Sequence, residues 1–292
     1  MSDRNQYLLE LAKRNAQAYI ANPKTKAVMV AGSVAEGLGD EYSDCDTSIY
    51  YDELPSEEEL QIARQQNRGS ERLWVLGERS EGGFAESYLV DGIECQFGHV
   101  TIAQWEKDIS QILEQLDVGS PLVKALSGTL AGIPLYGETL IHQWKAKVAN
   151  YPDRFAQAAV EHYLKFFPIW GVREKLAQRD TTLWYYQILV ESAQNLLGVL
   201  SGLNRLYYST FQFKRTSRFI DRMKIAPGNL GSRLESLFRE EAAVAVCQLE
   251  ALVRETIELV EIHMPQVDTS PVKQRLGWRQ QPWEFSNEER SS

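Results

Sequence analysis

The chain has 292 residues, 43% of them hydrophobic and 24% charged, a composition that fits a globular protein of one large or two ordinary domains. A net charge of −9 with no run of lysines and arginines disfavours a protein that grips a polynucleotide backbone, and suits a small cationic substrate. No apolar run approaches the ~20 residues that span a bilayer, and the opening MSDRNQYLLELAKRN carries no signal core, so a cytoplasmic, non-membrane protein is expected.

Residues 3–21 carry apolar positions at helical spacing, and Asn22-Pro23 ends that helix. Lys26 to Ala31 reads as the first strand and Asp44 to Asp52 as the second. A helix starts after Pro55, where Ser56 and Glu59 have the form of a capping box, and runs to about Gln66. A third strand is expected at Glu71 to Leu76. Glu86 to Val90 and Ile93 to Val100 read as two strands joined by a tight Asp91-Gly92 turn. In the second of these, Ile93, Cys95 and Phe97 form an apolar face, and Glu94, Gln96 and Gly98 form the other. Thr101 caps a helix through Trp105 and Ile112, Leu122 to Leu130 is a short helix, and 132–137 reads as a turn. Long helical segments are expected at about 138–149, 153–178, 181–207, 210–224 and 231–263. Strands early and helices late predict an α+β domain (1–137), a helical bundle (138–265) and a tail (266–292) whose Trp278 and Trp283 favour a strap laid on the surface. The three cysteines, Cys45, Cys95 and Cys247, are odd in number and widely spaced, against a disulfide framework or a zinc site. The four histidines show no metal-ligand spacing, and His99 reads as a strand-end residue.

The stretch VMVAGSVAEGLGDEYSDCDTSIYY concentrates the chemistry. A strand runs into the Gly32-Ser33 turn, and the next strand carries Asp44 and Asp46 on one face. Two like charges held so close need a cation between them, and a hard divalent ion such as Mg2+ suits carboxylate oxygens. Gly32 permits a tight backbone, and Ser33 offers a hydroxyl beside free N–H groups, a plausible phosphate cradle. The competing reading is an ordinary β-turn-β with surface aspartates.

Gly-Ser, about ten residues, then Asp-x-Asp on a strand resembles the signature of the DNA polymerase beta-like nucleotidyltransferase superfamily, nearest to the aminoglycoside adenylyltransferase type. The resemblance implies a mixed sheet with flanking helices followed by an all-helical C-terminal bundle. It implies transfer of an NMP, first of all AMP, from an NTP such as ATP to a hydroxyl of a small molecule, with Mg2+ as cofactor and pyrophosphate as product. Asp44 and Asp46 would be catalytic metal ligands. Ile93-Glu94-Cys95-Gln96-Phe97 matches the strand that supplies the third acid, so Glu94 would be general base and a further metal ligand. In other branches that acid falls two residues later, where this chain has Gln96, which is neither base nor strong metal ligand. Two features depart from the pattern. Thr47-Ser48 replace apolar residues after the second aspartate, and the loop before it is acidic at Asp40 and Glu41.

In the second half, Lys214, Arg218 and Arg222 are four apart on a predicted helix and form a basic stripe. The surrounding Leu-Asn-Arg, aromatic, Lys pattern resembles the helical domain of related enzymes, which makes Lys214 the candidate to meet the triphosphate; a solvated face is the equal alternative. Trp184, Tyr185, Tyr186 and Glu191 could wall an acceptor pocket, although packing is the favoured reading. Two rival functions remain open, nucleotidylation of a protein partner and a non-catalytic nucleotide-binding module. The oligomeric state is not legible.

Overall fold

Alternation through Cys45-Asp46-Thr47-Ser48-Ile49 sets the centre of a sheet, with the odd positions buried and the even ones partly open. The structure, a computed structural model, describes residues 2–211, 213–281 and 283. The chain divides into two compact units, Met1–Pro152 and Asp153–Ser292.

The first unit begins with α1 (Asp3–Ile20), capped by Ser2, whose side chain accepts from Asn5 N. The strands are β1 (Thr25–Val30), β2 (Cys45–Tyr51), β3 (Arg72–Leu76), β4 (Gly83–Val90), β5 (Ile93–Thr101) and β6 (Ile133–Tyr136), in the order β3-β4-β5-β2-β1-β6. Among the described residues only the β2–β5 pairing is parallel, so the sheet is mixed. A four-residue turn of helix, α2 (Gly32–Ala35), follows β1. The capping box of Ser56 and Glu59 forms as expected at the start of α3 (Glu57–Gln66). Asp91 and Gly92 both take positive φ, as a two-residue hairpin with right-handed twist requires. Thr101 Oγ1 accepts from Gln104 N and caps α4 (Ile102–Leu113), which α5 (Val123–Ala131) and α6 (Glu138–Ala149) follow.

One face of the sheet packs on α1 and α3, through Leu8, Leu11, Ala12 and Leu60 against Val28, Ile49, Tyr88 and Phe97. The other face is covered at one end only. Tyr50 is buried there, its ring 4.5 Å from Trp144 on α6 and 6.0 Å from Trp105 on α4. Asp46 and Ser48, further up the same face of β2, stay partly open.

Three expectations are corrected in this unit. Residues 133–136 are a strand, not a turn; β6 is short and contains Pro134, which an edge strand tolerates. The strand expected from Glu86 begins at Gly83. The boundary expected at 137 falls inside the first unit, since α6 packs on β1 and sets Trp144 on Tyr50.

In the second unit every regular element among the described residues is helical. These are α7 (Asp153–Tyr163), a 3-10 turn at Ile169–Val172, α8 (Arg173–Gln178), α9 (Thr182–Leu203), α10 (Thr216–Ile220), α11 (Leu230–Ser236), α12 (Ala242–His263) and α13 (Ser270–Lys273). Gly198 and Gly202, one turn apart on α9, let α7 approach closely: a Cβ on them would meet Tyr163 and Val160. The helix expected over 153–178 breaks because Pro168 removes a donor and restrains Phe167. That over 231–263 breaks ahead of α12, with Glu240 and Glu241 at the helix N-terminus, where negative charge is favoured. Part of the tail is a strap. Trp170 Nε1 donates to Arg275 O at 2.8 Å, Gln280 N donates to Gly171 O at 2.8 Å, and Trp278 lies against Gly171. No helix among the described residues is long and apolar enough to cross a membrane.

Candidate functional site

Asp44 immediately precedes β2, and Asp46 is its second residue. Both lie on the half-open face, while Cys45 and Thr47 turn into the core. In the β2–β5 register Asp46 lies beside Gln96, and Cys45 beside Cys95. Parallel pairing therefore brings Glu94 and Gln96 onto the face of the aspartates. Gln96 Nε2 donates to Asp44 Oδ2 at 2.7 Å and to Glu94 Oε1 at 3.3 Å. Trp74 Nε1 on β3 donates to the same Glu94 oxygen at 2.9 Å.

Gly32 and Ser33 open α2 at the end of β1. Gly32 takes φ +62°, and a Cβ there would lie 1.9 Å from Asp46 Oδ2. The Gly-Ser turn and the second aspartate are thus in contact, joined also by Ala31 N donating to Asp46 O at 3.0 Å. The Ser33 hydroxyl is enclosed and has no hydrogen-bond partner among the described residues. It stands in the first turn of a helix, where N–H groups have no intrahelical acceptor.

The turn is clamped from α1. Fully buried Asn5 donates from Nδ2 to Val34 O at 3.3 Å, and its Oδ1 accepts from Gly39 N at 2.7 Å. The two acids of the following loop are engaged locally. Asp40 Oδ1 accepts from Tyr42 N and the Ser43 hydroxyl, and Glu41 pairs with Arg4 at 3.4 Å.

Beneath this face the thiols of Cys45 and Cys95 are buried and unbridged. The neighbouring Cys95 thiol, then burial, then the charges of Asp46 and Asp44 push the Cys45 thiol far up, so it stays protonated. Deeper in the core, Glu86 accepts from Arg72, stands 3.4 Å from His99 Nε2, and is fully buried; Tyr51 hydrogen-bonds His99 Nδ1 at 2.9 Å. Burial works to raise the Glu86 carboxyl, but its contacts with His99 and Arg72 outweigh this and hold it below the usual range. Burial lowers His99, which is neutral here.

The expected metal set of Asp44, Asp46 and Glu94 shares a face, but Gln96 stands between Asp44 and Glu94. Among the described residues no three His, Cys, Asp or Glu side chains are grouped as a metal cage. The donor chemistry still fits Mg2+, which takes one or two carboxylates and completes its shell with phosphate oxygens and water. Sequence reasoning set Gln96 aside for want of a charge, and it missed Trp74 and Asn5. A glutamine two residues after a candidate base was a usable signal; nothing local marked the other two.

Lys214 lies in the second unit, exposed, in a loop ahead of α10. The stripe with Arg218 and Arg222 does not form, because the helix expected over 210–224 spans only Thr216–Ile220. Arg215 takes φ +61° at its start, and Asn204 Oδ1 draws Lys224 N and Ile225 N away beyond its end. Of Trp184, Tyr185, Tyr186 and Glu191, only Tyr185 and Tyr186 meet, their rings edge-on at 5.2 Å beside one cavity. Trp184 packs edge-on against Phe167, Tyr185 is buried, Tyr186 is exposed, and Glu191 accepts from Gln187.

No protein-family model and no curated protein matches the chain. Among solved structures it is similar to a nucleotidyltransferase-like protein from Exiguobacterium sibiricum 255-15. The alignment covers 89% of this chain and 81% of that one, at 11% identity and a TM-score of 0.39. Likeness at that level does not establish a shared fold.

Proposed function

We propose that this protein transfers a nucleotidyl group from a nucleoside triphosphate to a hydroxyl of a small molecule, releasing pyrophosphate. The observation that carries the reading is the meeting of the Gly32-Ser33 turn with Asp46, on the same sheet face as Asp44 and Glu94. A phosphate cradle in contact with hard-metal carboxylates, beside a further carboxylate able to take a proton, is the minimum that this chemistry needs.

In this reading Gly32 lets the phosphates approach the backbone, and the unpartnered Ser33 hydroxyl donates to a phosphate oxygen. Asp44 and Asp46 would hold Mg2+, which when bound offsets triphosphate charge and stabilises the leaving pyrophosphate. Glu94 takes the proton of the acceptor hydroxyl as its oxygen bonds to the α-phosphorus and the bond to the β-phosphate bridge breaks. Gln96 keeps Asp44 and Glu94 apart through one carboxamide, relieving the repulsion of two carboxylates. The sequence resemblance makes ATP the first donor to try and an aminoglycoside-like amine-bearing sugar the first acceptor, a cation suited to a chain of net charge −9.

The test incubates the purified protein with each α-labelled NTP, Mg2+ and a panel of hydroxyl-bearing acceptors, and reads pyrophosphate and label. Transfer to a small molecule, abolished by Asp46→Asn, is expected. Label on a protein would redirect the reading to protein nucleotidylation, and no transfer with any donor would reject it.

A further inference from the structure

In a regular strand Arg72 and Trp74 would share a face. The β3–β4 register shifts between them, so Arg72 lies opposite Tyr88 but Trp74 lies opposite Ser87. Arg72 consequently turns into the core, onto Glu86, while Trp74 turns to the opposite face. Ser87 pairs with Gln96 and Leu89 with Glu94, so this is the face of the candidate site. A bulge that re-aims one side chain is a recurrent device beside active sites. Here it delivers an indole N–H from the edge strand to a carboxylate two strands away in the sheet order.

Glu94 Oε1 accepts two hydrogen bonds, from Trp74 at 2.9 Å and from Gln96 at 3.3 Å. The described residues supply no donor to Oε2. Both donors are neutral, so they fix the direction of the carboxylate without cancelling its charge. An arginine or lysine in the place of Trp74 would pair with the base and weaken it. The sheet order also sets a direction. The Gly-Ser turn follows β1, the aspartates belong to β2, Glu94 to β5 and Trp74 to β3. Phosphate cradle, metal carboxylates, base and indole therefore follow one another across a single face.

We propose that Trp74 is a positioning residue for nucleotidyl transfer, holding Glu94 by Oε1 so that Oε2 faces the attacking hydroxyl. The proposal rests on the function argued above. The acceptor oxygen bonds to the α-phosphorus, the electron pair of the broken bridge leaves with pyrophosphate, and the hydroxyl proton passes to Oε2. Without the indole, Glu94 keeps only the longer bond from Gln96 and spends less time aligned.

Trp74→Phe keeps the ring and removes the N–H. On folded protein, checked by circular dichroism, kcat should fall about tenfold, as for a misaligned but present base, with KM for the nucleotide unchanged. Trp74→His, which restores a ring N–H, should recover part of the loss. In a Glu94→Gln background, Trp74→Phe should have no further effect. Unchanged kcat in Trp74→Phe, or the same loss with and without Glu94, would overturn the proposal. An active wild type with an unaffected Trp74→Phe rejects the positioning role alone, whereas a wild type that transfers nothing rejects the function and this role together.

Discussion

At Gly32 two requirements meet in one atom's space. Its φ of +62° is costly for any residue with a Cβ, by about 1–2 kcal/mol, and that Cβ would sit 1.9 Å from Asp46 Oδ2. The carboxylate is the movable partner, so Gly32→Ala should displace Asp46 rather than unfold the sheet. We expect a melting temperature lower by a few degrees, together with at least tenfold weaker Mg2+-dependent nucleotide binding. A large stability loss with intact binding would mean that the glycine serves the fold alone. Asn5 acts on the same turn from outside. Its carboxamide is fully buried and spent on two backbone groups, Val34 O and Gly39 N, so α1 holds the turn in addition to the turn's own backbone bonds, such as Leu38 N donating to Ser33 O at 2.8 Å.

Among the elements, those whose periodicity is local were legible from the sequence. The amphipathic α1, the capping box of α3, the Asp91-Gly92 hairpin and the alternation in β2 and β5 each write their pattern into consecutive residues. The elements that were not legible depend on partners far along the chain. β6 exists because β1 offers it an edge, and its Ile-Pro-Leu-Tyr reads locally as a turn. The basic stripe around Lys214 required a helix that Arg215 and Asn204 interrupt. The same division holds at the candidate site. Asp44, Asp46, Gly32 and Ser33 were proposed from spacing and Glu94 from the resemblance of its strand, because strand alternation and a Gly-Ser turn are local; their shared face and the Gly32–Asp46 contact are what the structure adds. Trp74 was not, because its direction is set by a one-residue slip in the β3–β4 ladder that leaves no mark in composition.

At the scale of the whole molecule, acid acts on the core of the first unit. His99 and Glu86 lie in its core, and each has its folded value below its ordinary one. For both groups the unfolded chain binds more protons in the window between the two values, so stability rises with pH there. The His99 contribution is complete above about pH 6.5 and fades below it; that of Glu86 is complete above about pH 4.5 and is lost further down. Melting temperature measured against pH should be level between about 7 and 8, decline gently below 6.5 and steeply below 4.5. His99→Gln should flatten the first decline and keep the second. A melting temperature that rises between pH 7 and 5 would contradict the assignment of a neutral buried His99.

Asp44 and Asp46, with the Gly32-Ser33 turn, are proposed to form a Mg2+-nucleotide site. Calorimetric titration of the full chain with a non-hydrolysable ATP analogue, with and without Mg2+ and in wild type and Asp46→Asn, tests it most directly. Binding that requires Mg2+ and weakens at least tenfold in Asp46→Asn is predicted. Binding that is indifferent to Mg2+ or to that substitution, or no binding to the wild type, would contradict it.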